Sequence, residues 1–190
     1  ADKIILDIGS STGGFTDCAL QEGAKHCYAL DVGYNQLAWK IRQDPRVTVM
    51  ERTNFRHATL DLFTEGQPQF ATIDVSFISL RLILPALKTI ISEGGDVIAL
   101  VKPQFEAGKG KVGKKGVVRE FATHLEVLKR IAEASLEEGF SLRGASFSPV
   151  TGGEGNIEFL FHLTSDATPE KRFEDELCDK LIRHASKELV

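Results

Sequence analysis

Apolar residues in this chain fall into short unbroken runs, separated by stretches in which they recur every third or fourth position. The runs are Ile4-Ile5-Leu6-Asp7-Ile8, Lys25 to Leu30, Arg46 to Met50, Phe70 to Val75 and Asp96 to Val101. Runs of that length, bounded by glycine, proline or polar clusters, read as strands buried on both faces. Between them, Phe15 to Glu22, Asn35 to Arg42 and Ser79 to Ser92 read as helices, and Thr59 to Phe63 as a helical turn. The second helix sets Leu37, Ala38 and Ile41 on one face and closes before Pro45. The third contains Pro85, which either kinks it or marks a late first turn. Strands alternating with helices predict an α/β fold with a mostly parallel sheet and helices on both faces.

The carboxyl-terminal third is patterned differently. Gly108 to Gly116 is a glycine-lysine loop too irregular for a core element. Thr123 to Glu138 reads as a long amphipathic helix stopped by Gly139, followed by a strand from Ser141 to Phe147. The short turn Thr151-Gly152-Gly153-Glu154-Gly155 leads to Asn156 to Leu163, so the last two of seven strands are expected to be an antiparallel hairpin. Thr168-Pro169 has the pattern of a helix start, and Phe173, Leu177 and Leu181 recur every fourth residue. The expected organisation is one domain over 1–165, with a final helix in 166–190 packed on it.

Composition narrows the classes. At 190 residues, with 42% hydrophobic and 26% charged, the chain suits a globular domain, and no apolar run is long enough to cross a bilayer. No secretory signal opens the sequence, and its start almost directly on a core strand suggests that an N-terminal part precedes it. Cys18, Cys27 and Cys178 lack C-x-x-C spacing, which favours a reduced, cytoplasmic setting and small buried thiols over a disulfide framework or zinc site. The net charge of -4 argues against indiscriminate polyanion binding and leaves room for a local basic face. None of the five histidines stands in a metal-binding or triad motif, so no metal is expected. Trp39 is expected in the core or at its rim.

In an open parallel sheet the ligand crevice lies beyond the carboxyl ends of the strands. The first of those ends carries Gly9-Ser10-Ser11-Thr12-Gly13-Gly14-Phe15, small residues that let backbone approach a ligand before a helix begins. Its glycines miss the dinucleotide spacing, so support must come from elsewhere. The second strand ends on Asp31, whose carboxylate can accept from both hydroxyls of a ribose, and together these features suggest an adenosine-containing ligand. Asp74 and Lys102 end the fourth and fifth strands, and Glu158 lies in the hairpin. A lysine desolvated behind an apolar strand favours the neutral amine, a proton acceptor that neighbouring carboxylates can orient. On residue types alone a structural ion-pair network of Asp74, Lys102 and Glu158 fits equally well.

The tie is broken by a resemblance. Leu6 to Asp17, Asp74-Val75-Ser76-Phe77-Ile78-Ser79-Leu80, Val101-Lys102-Pro103-Gln104-Phe105-Glu106-Ala107-Gly108 and Gly155-Asn156-Ile157-Glu158-Phe159 resemble, in order, four motifs of the TlyA family. These are FtsJ-like, S-adenosylmethionine-dependent RNA ribose 2'-O-methyltransferases, some of which carry the label hemolysin. The resemblance implies a Rossmann-like class I methyltransferase fold and a Lys-Asp-Lys-Glu tetrad whose last three members match Asp74, Lys102 and Glu158. The tetrad's first lysine and the family's N-terminal S4 RNA-binding domain lie upstream of the residues in this sequence. It also implies S-adenosylmethionine as cofactor, with Gly9, Ser10 and Gly13 at its methionine end, Asp31 at its ribose, Asn54 near its adenine, and Asp7, Gly14, Phe15 and Asp74 among the other cofactor-binding residues. Ribosomal RNA becomes the expected partner, and Lys109, Lys111, Lys114, Lys115 and Arg119 are candidates for its phosphates. Three rival readings remain open: a non-catalytic RNA-binding module of the same fold, a membrane-lytic protein, and an NAD-linked oxidoreductase.

Overall fold

The computed structural model describes residues 1–170 and 175–189. Its strands are β1 (Ile4–Ile8), β2 (His26–Leu30), β3 (Val47–Met50), β4 (Phe70–Ile73), β5 (Asp96–Val101), β6 (Phe140–Phe147) and β7 (Phe159–Ser165). They form one sheet in the order β3-β2-β1-β4-β5-β7-β6. β1 to β5 are all parallel, whereas β7 runs antiparallel between β5 and β6. Chain order reverses between β1 and β4, which makes the carboxyl ends of those two strands the switch point where such sheets open a crevice.

The helices are α1 (Gly14–Gln21), α2 (Trp39–Arg42), α3 (Leu84–Ile90), α4 (Pro103–Glu106), α5 (Phe121–Glu137) and α6 (Asp175–Leu189). One face of the sheet packs Leu6, Ile8, Tyr28, Ile73 and Phe161 against Leu84 and Leu87 of α3, Val127 and Ile131 of α5, and Cys178, Ile182 and Ala185 of α6. The opposite face packs Ile5 and Cys27 against Leu20 of α1, and Ala29 against Leu37 and Ile41. Burying each such aliphatic side chain contributes about 1.5–3 kcal/mol, so both layers hold the sheet in place beneath the crevice. The fold is the α/β class expected from the pattern, with seven strands and the antiparallel carboxyl-terminal pair, and is Rossmann-like as the resemblance implies.

Several local expectations change. The second helix is a single turn, Trp39–Arg42, because Asp31 caps the amide of Gly33 and Asn35 takes a left-handed φ of 57°. The third is split into a 3-10 turn, Leu80–Leu82, and α3, with Pro85 in the first helical turn where no amide donor is needed. Thr168, Pro169 and Glu170 are irregular, so Pro169 does not open α6, and Phe173 lies outside the described residues. Cys18 is exposed, while Cys27 is fully buried and its thiol is pushed up to about 12 by desolvation. Trp39 is 69% exposed, at the rim rather than in the core.

Candidate active site

The turn after β1 is built from backbone. Gly9 and Ser10 amides both donate to the Leu30 carbonyl, at 2.9 and 3.0 Å, which ties the turn to the end of β2. Gly9 has φ +81°, and a Cβ there would lie 2.1 Å from the Asp74 carbonyl oxygen, so only glycine lets the β1 and β4 ends come this close. Gly13 caps α1 in the left-handed region, packed against Leu37 and Ile41. Gly14 and Phe15 form the exposed first turn of α1.

Asp7 sits beneath this turn and is fully buried. Thr16 donates to its Oδ2 from both amide (3.1 Å) and hydroxyl (2.8 Å), and the Thr72 hydroxyl donates to Oδ1 at 3.1 Å. Burial raises its pKa from the ordinary carboxylate value, against the lowering pull of those hydrogen bonds. Asp7 therefore fastens α1 to β1 and β4 from inside.

Above the turn lies an open pocket of about 480 Å³, lined by Gly9, Ser11, Asp31, Asn54, Phe55 and Asp74 together with Ile8, Leu30, Val75, Phe77 and Ile78. Asp31 accepts the Ser11 amide on Oδ2 (2.7 Å) and the Gly33 amide on Oδ1 (2.9 Å), which fixes its carboxylate at the mouth. Asn54 caps the 3-10 turn Phe55–His57 through the Arg56 amide at 3.1 Å. Ser10 lines a small adjoining cleft that shares Ser11 and Asp31.

Beside the pocket, Lys102 Nζ lies 2.5 Å from Oδ1 of Asp74 and 3.3 Å from Oγ of Ser76, two residues that line it. The lysine side chain is only 12% exposed, whereas Asp74 is 37% exposed and faces the pocket as well. Glu158 approaches from β7's amino end. Burial raises its pKa, the charge of Lys102 opposes that rise, Asp74 reinforces it, and a hydrogen bond from Gln104 opposes it. Its Oε2 is buried without a hydrogen-bond partner, as is Gln104 Oε1. An unpaired buried carboxyl oxygen is costly and leaves acceptor capacity beside Lys102.

The loops after β4 and β5 are joined by further rungs. The Phe77 and Phe105 rings are 4.7 Å apart, and the buried Glu106 accepts from the Ser79 hydroxyl (2.6 Å) and the Leu80 amide (2.8 Å). Phe77 is 89% exposed on a left-handed backbone of φ 63°, the kind of conformation that tends to persist at functional sites. The basic residues Lys111, Lys114, Lys115 and Arg119 line a surface cavity of the loop before α5, Lys109 is exposed on the same loop, and Lys111 pairs with Glu126. Gln104, Gly152, which leaves room for the Glu158 carboxylate, and Asn156 are site residues that the strand-end reasoning missed, although all three lie within a few residues of Lys102 or Glu158 in the chain.

Residues 1–165 match the FtsJ-like methyltransferase family. The chain belongs to that family. It is 70% identical over 162 residues to YqxC of Bacillus subtilis, covering 85% of this chain and 58% of that protein. It is 44% identical over 178 residues to the 16S/23S rRNA (cytidine-2'-O)-methyltransferase TlyA of Mycobacterium tuberculosis, covering 92% and 66%. A solved structure from Streptococcus thermophilus with a hemolysin label superimposes with a TM-score of 0.96 at 55% identity, covering 98% of this chain and 67% of that one. The chain thus spans about three fifths of the length of the first two of these relatives. No helix among the described residues is long and apolar enough to cross a membrane.

Proposed function

We propose that this chain is the catalytic part of an S-adenosylmethionine-dependent RNA ribose 2'-O-methyltransferase acting on ribosomal RNA, with cytidine riboses as targets. The observation that carries the reading is Asp74, which lines the pocket at the sheet's switch point and holds Lys102 Nζ at 2.5 Å. The pocket suits the cofactor: Gly9 admits close approach, Asp31 offers carboxylate oxygens to ribose hydroxyls, apolar walls fit an adenine, and Asp74 suits a sulfonium.

When bound, S-adenosylmethionine would supply an electrophilic methyl group. Lys102 Nζ is the group placed to accept the proton from the ribose 2'-hydroxyl. Asp74 holds that amine by Oδ1, and Glu158 bounds the far side with an oxygen free to accept a hydrogen bond. General-base catalysis of this kind contributes about 10²–10⁴ in rate, and holding the hydroxyl in line contributes further. The exposed Phe77 ring beside Phe105 offers a face on which a nucleobase can stack, and the basic loop offers charge to phosphates. The relatives' names, which specify ribosomal RNA and cytidine, support the choice of substrate.

Calorimetry on this chain tests the cofactor half. S-adenosylmethionine should bind, and Asp31→Ala should weaken it at least about tenfold, the scale of hydrogen bonds to a charged group. Equal binding by the variant removes Asp31 from the ribose.

A further inference from the structure

The basic loop and the catalytic carboxylate meet at one side chain. Asn156 is 3% exposed. Its Oδ1 accepts the Val118 amide at 2.9 Å, and its Nδ2 donates to the Gly116 and Gly153 carbonyls, each at 2.9 Å. Gly116 and Val118 close the basic loop, whose last turn is drawn in by the buried Val117 and Val118 and by His124 Nε2, 3.1 Å from the Val118 carbonyl. Gly153 belongs to the turn before β7, and the Gly152 amide donates back to the Asn156 carbonyl at 2.7 Å. That turn abuts Glu158, since a Cβ on Gly152 would lie 2.5 Å from Glu158 Oε1.

We infer that Asn156 is a positioning residue that fixes the basic loop in register with Glu158, so that phosphates held by Lys114 and Lys115 set the placement of the ribose at Lys102. The inference rests on the RNA methyltransferase reading and adds to it a coupling between grip and chemistry. Asparagine suits the position because one planar amide presents the acceptor and both donors that the three backbone groups require. Without it, the Val118 N–H and the Gly116 carbonyl lose their side-chain partner and the Gly153 carbonyl keeps only the Asn156 backbone amide, so the tie between the loop and the turn before β7 is cut. Nothing in the pocket for the cofactor touches Asn156, so cofactor affinity reports whether a variant is folded.

The test uses the full-length protein with unmethylated 16S and 23S rRNA transcripts, comparing Asn156→Ala, Asn156→Asp and the double variant Lys114→Ala/Lys115→Ala. Asn156→Asp retains the acceptor for Val118 but turns a carboxylate toward two carbonyls. All three should bind S-adenosylmethionine as the parent does. The lysine variant should raise KM for RNA and, because gripped phosphates no longer place the ribose, also lower kcat at saturating RNA, while flattening the salt slope by about 0.7 for each phosphate that is no longer neutralised. Both Asn156 variants should raise KM and also lower kcat at saturating RNA, about tenfold or more, with faster amide exchange at Val118; a tenfold change corresponds to about 1.4 kcal/mol of lost transition-state stabilisation. If the parent methylates RNA and the Asn156 variants change KM alone or neither constant, the coupling is wrong. If the parent binds cofactor and fails to bind or methylate RNA, the functional reading fails with it.

Discussion

The two ends of the crevice are built by different means. Around Gly9 and Asp31 the geometry is set by backbone: amides of Gly9, Ser10, Ser11 and Gly33 converge on a carbonyl or a carboxylate, and both carboxylate oxygens of the Asp7 strut beneath are satisfied. Around Lys102 the geometry is set by side chains, and buried oxygens of Glu158 and Gln104 have no partner. Asp7 and Glu158 make the contrast plain. Both are carboxyls with pKa raised by burial, yet one is closed by threonines and the other keeps a free oxygen beside a lysine. A satisfied buried carboxylate holds a fold together, whereas a half-satisfied one beside a charged partner is poised to meet a substrate.

The contrast predicts that damage at the side-chain end affects chemistry and damage at the backbone end affects binding and folding. Lys102→Ala should lower kcat for methyl transfer about 10²–10⁴-fold while S-adenosylmethionine affinity stays within about twofold of the parent; retained turnover would break the assignment. Gly9→Ala should cost about 3 kcal/mol or more of stability and abolish cofactor binding, because its Cβ falls on the Asp74 carbonyl at a positive φ. Denaturant unfolding measures this, and a folded, cofactor-binding Gly9→Ala would refute the close approach.

Smaller effects sharpen the same line. Glu106 is a buried carboxyl with pKa raised chiefly by desolvation. The folded state then holds its proton above the ordinary carboxylate pKa, so the stability it contributes is full below that value and is lost as pH rises through the raised one. Glu106→Gln keeps an acceptor for the Leu80 amide, and melting curves from about pH 4 to 7 should fall less steeply with pH than the parent's; an unchanged slope would contradict the burial argument. Least of all, Gly14→Ala meets no atom within 4 Å at the start of α1 and should be neutral or stabilising by up to about 1 kcal/mol.

The sheet was largely legible because its strands are short apolar runs, and β1 and β5 fall on the expected residues. The hairpin was legible from a turn too short for a crossover. The placement of β7 between β5 and β6 was not, since β7 reaches β5 through pairings distant in sequence. The second helix was overread because the spacing of Leu37 and Ile41 also suits a loop pinned by Asp31, and propensity alone does not reveal a carboxylate cap at Gly33. Asp7 illustrates the deeper limit at the site. A strand end points to a crevice, but which face a side chain takes, and whether threonines close over it, depends on Thr16 and Thr72 arriving from elsewhere. The charged trio was readable as residue types at strand ends. Asn156 and Gln104 were not, because an amide shows its role only through the groups it bridges.

The most direct measurement is where the methyl group goes. Full-length protein incubated with methyl-labelled S-adenosylmethionine and unmethylated ribosomal RNA, followed by nucleoside mass spectrometry, should yield 2'-O-methylcytidine, formed at least about 10²-fold more slowly with Lys102→Ala. Label on a base rather than a ribose, or undiminished label with the lysine variant, would contradict the account.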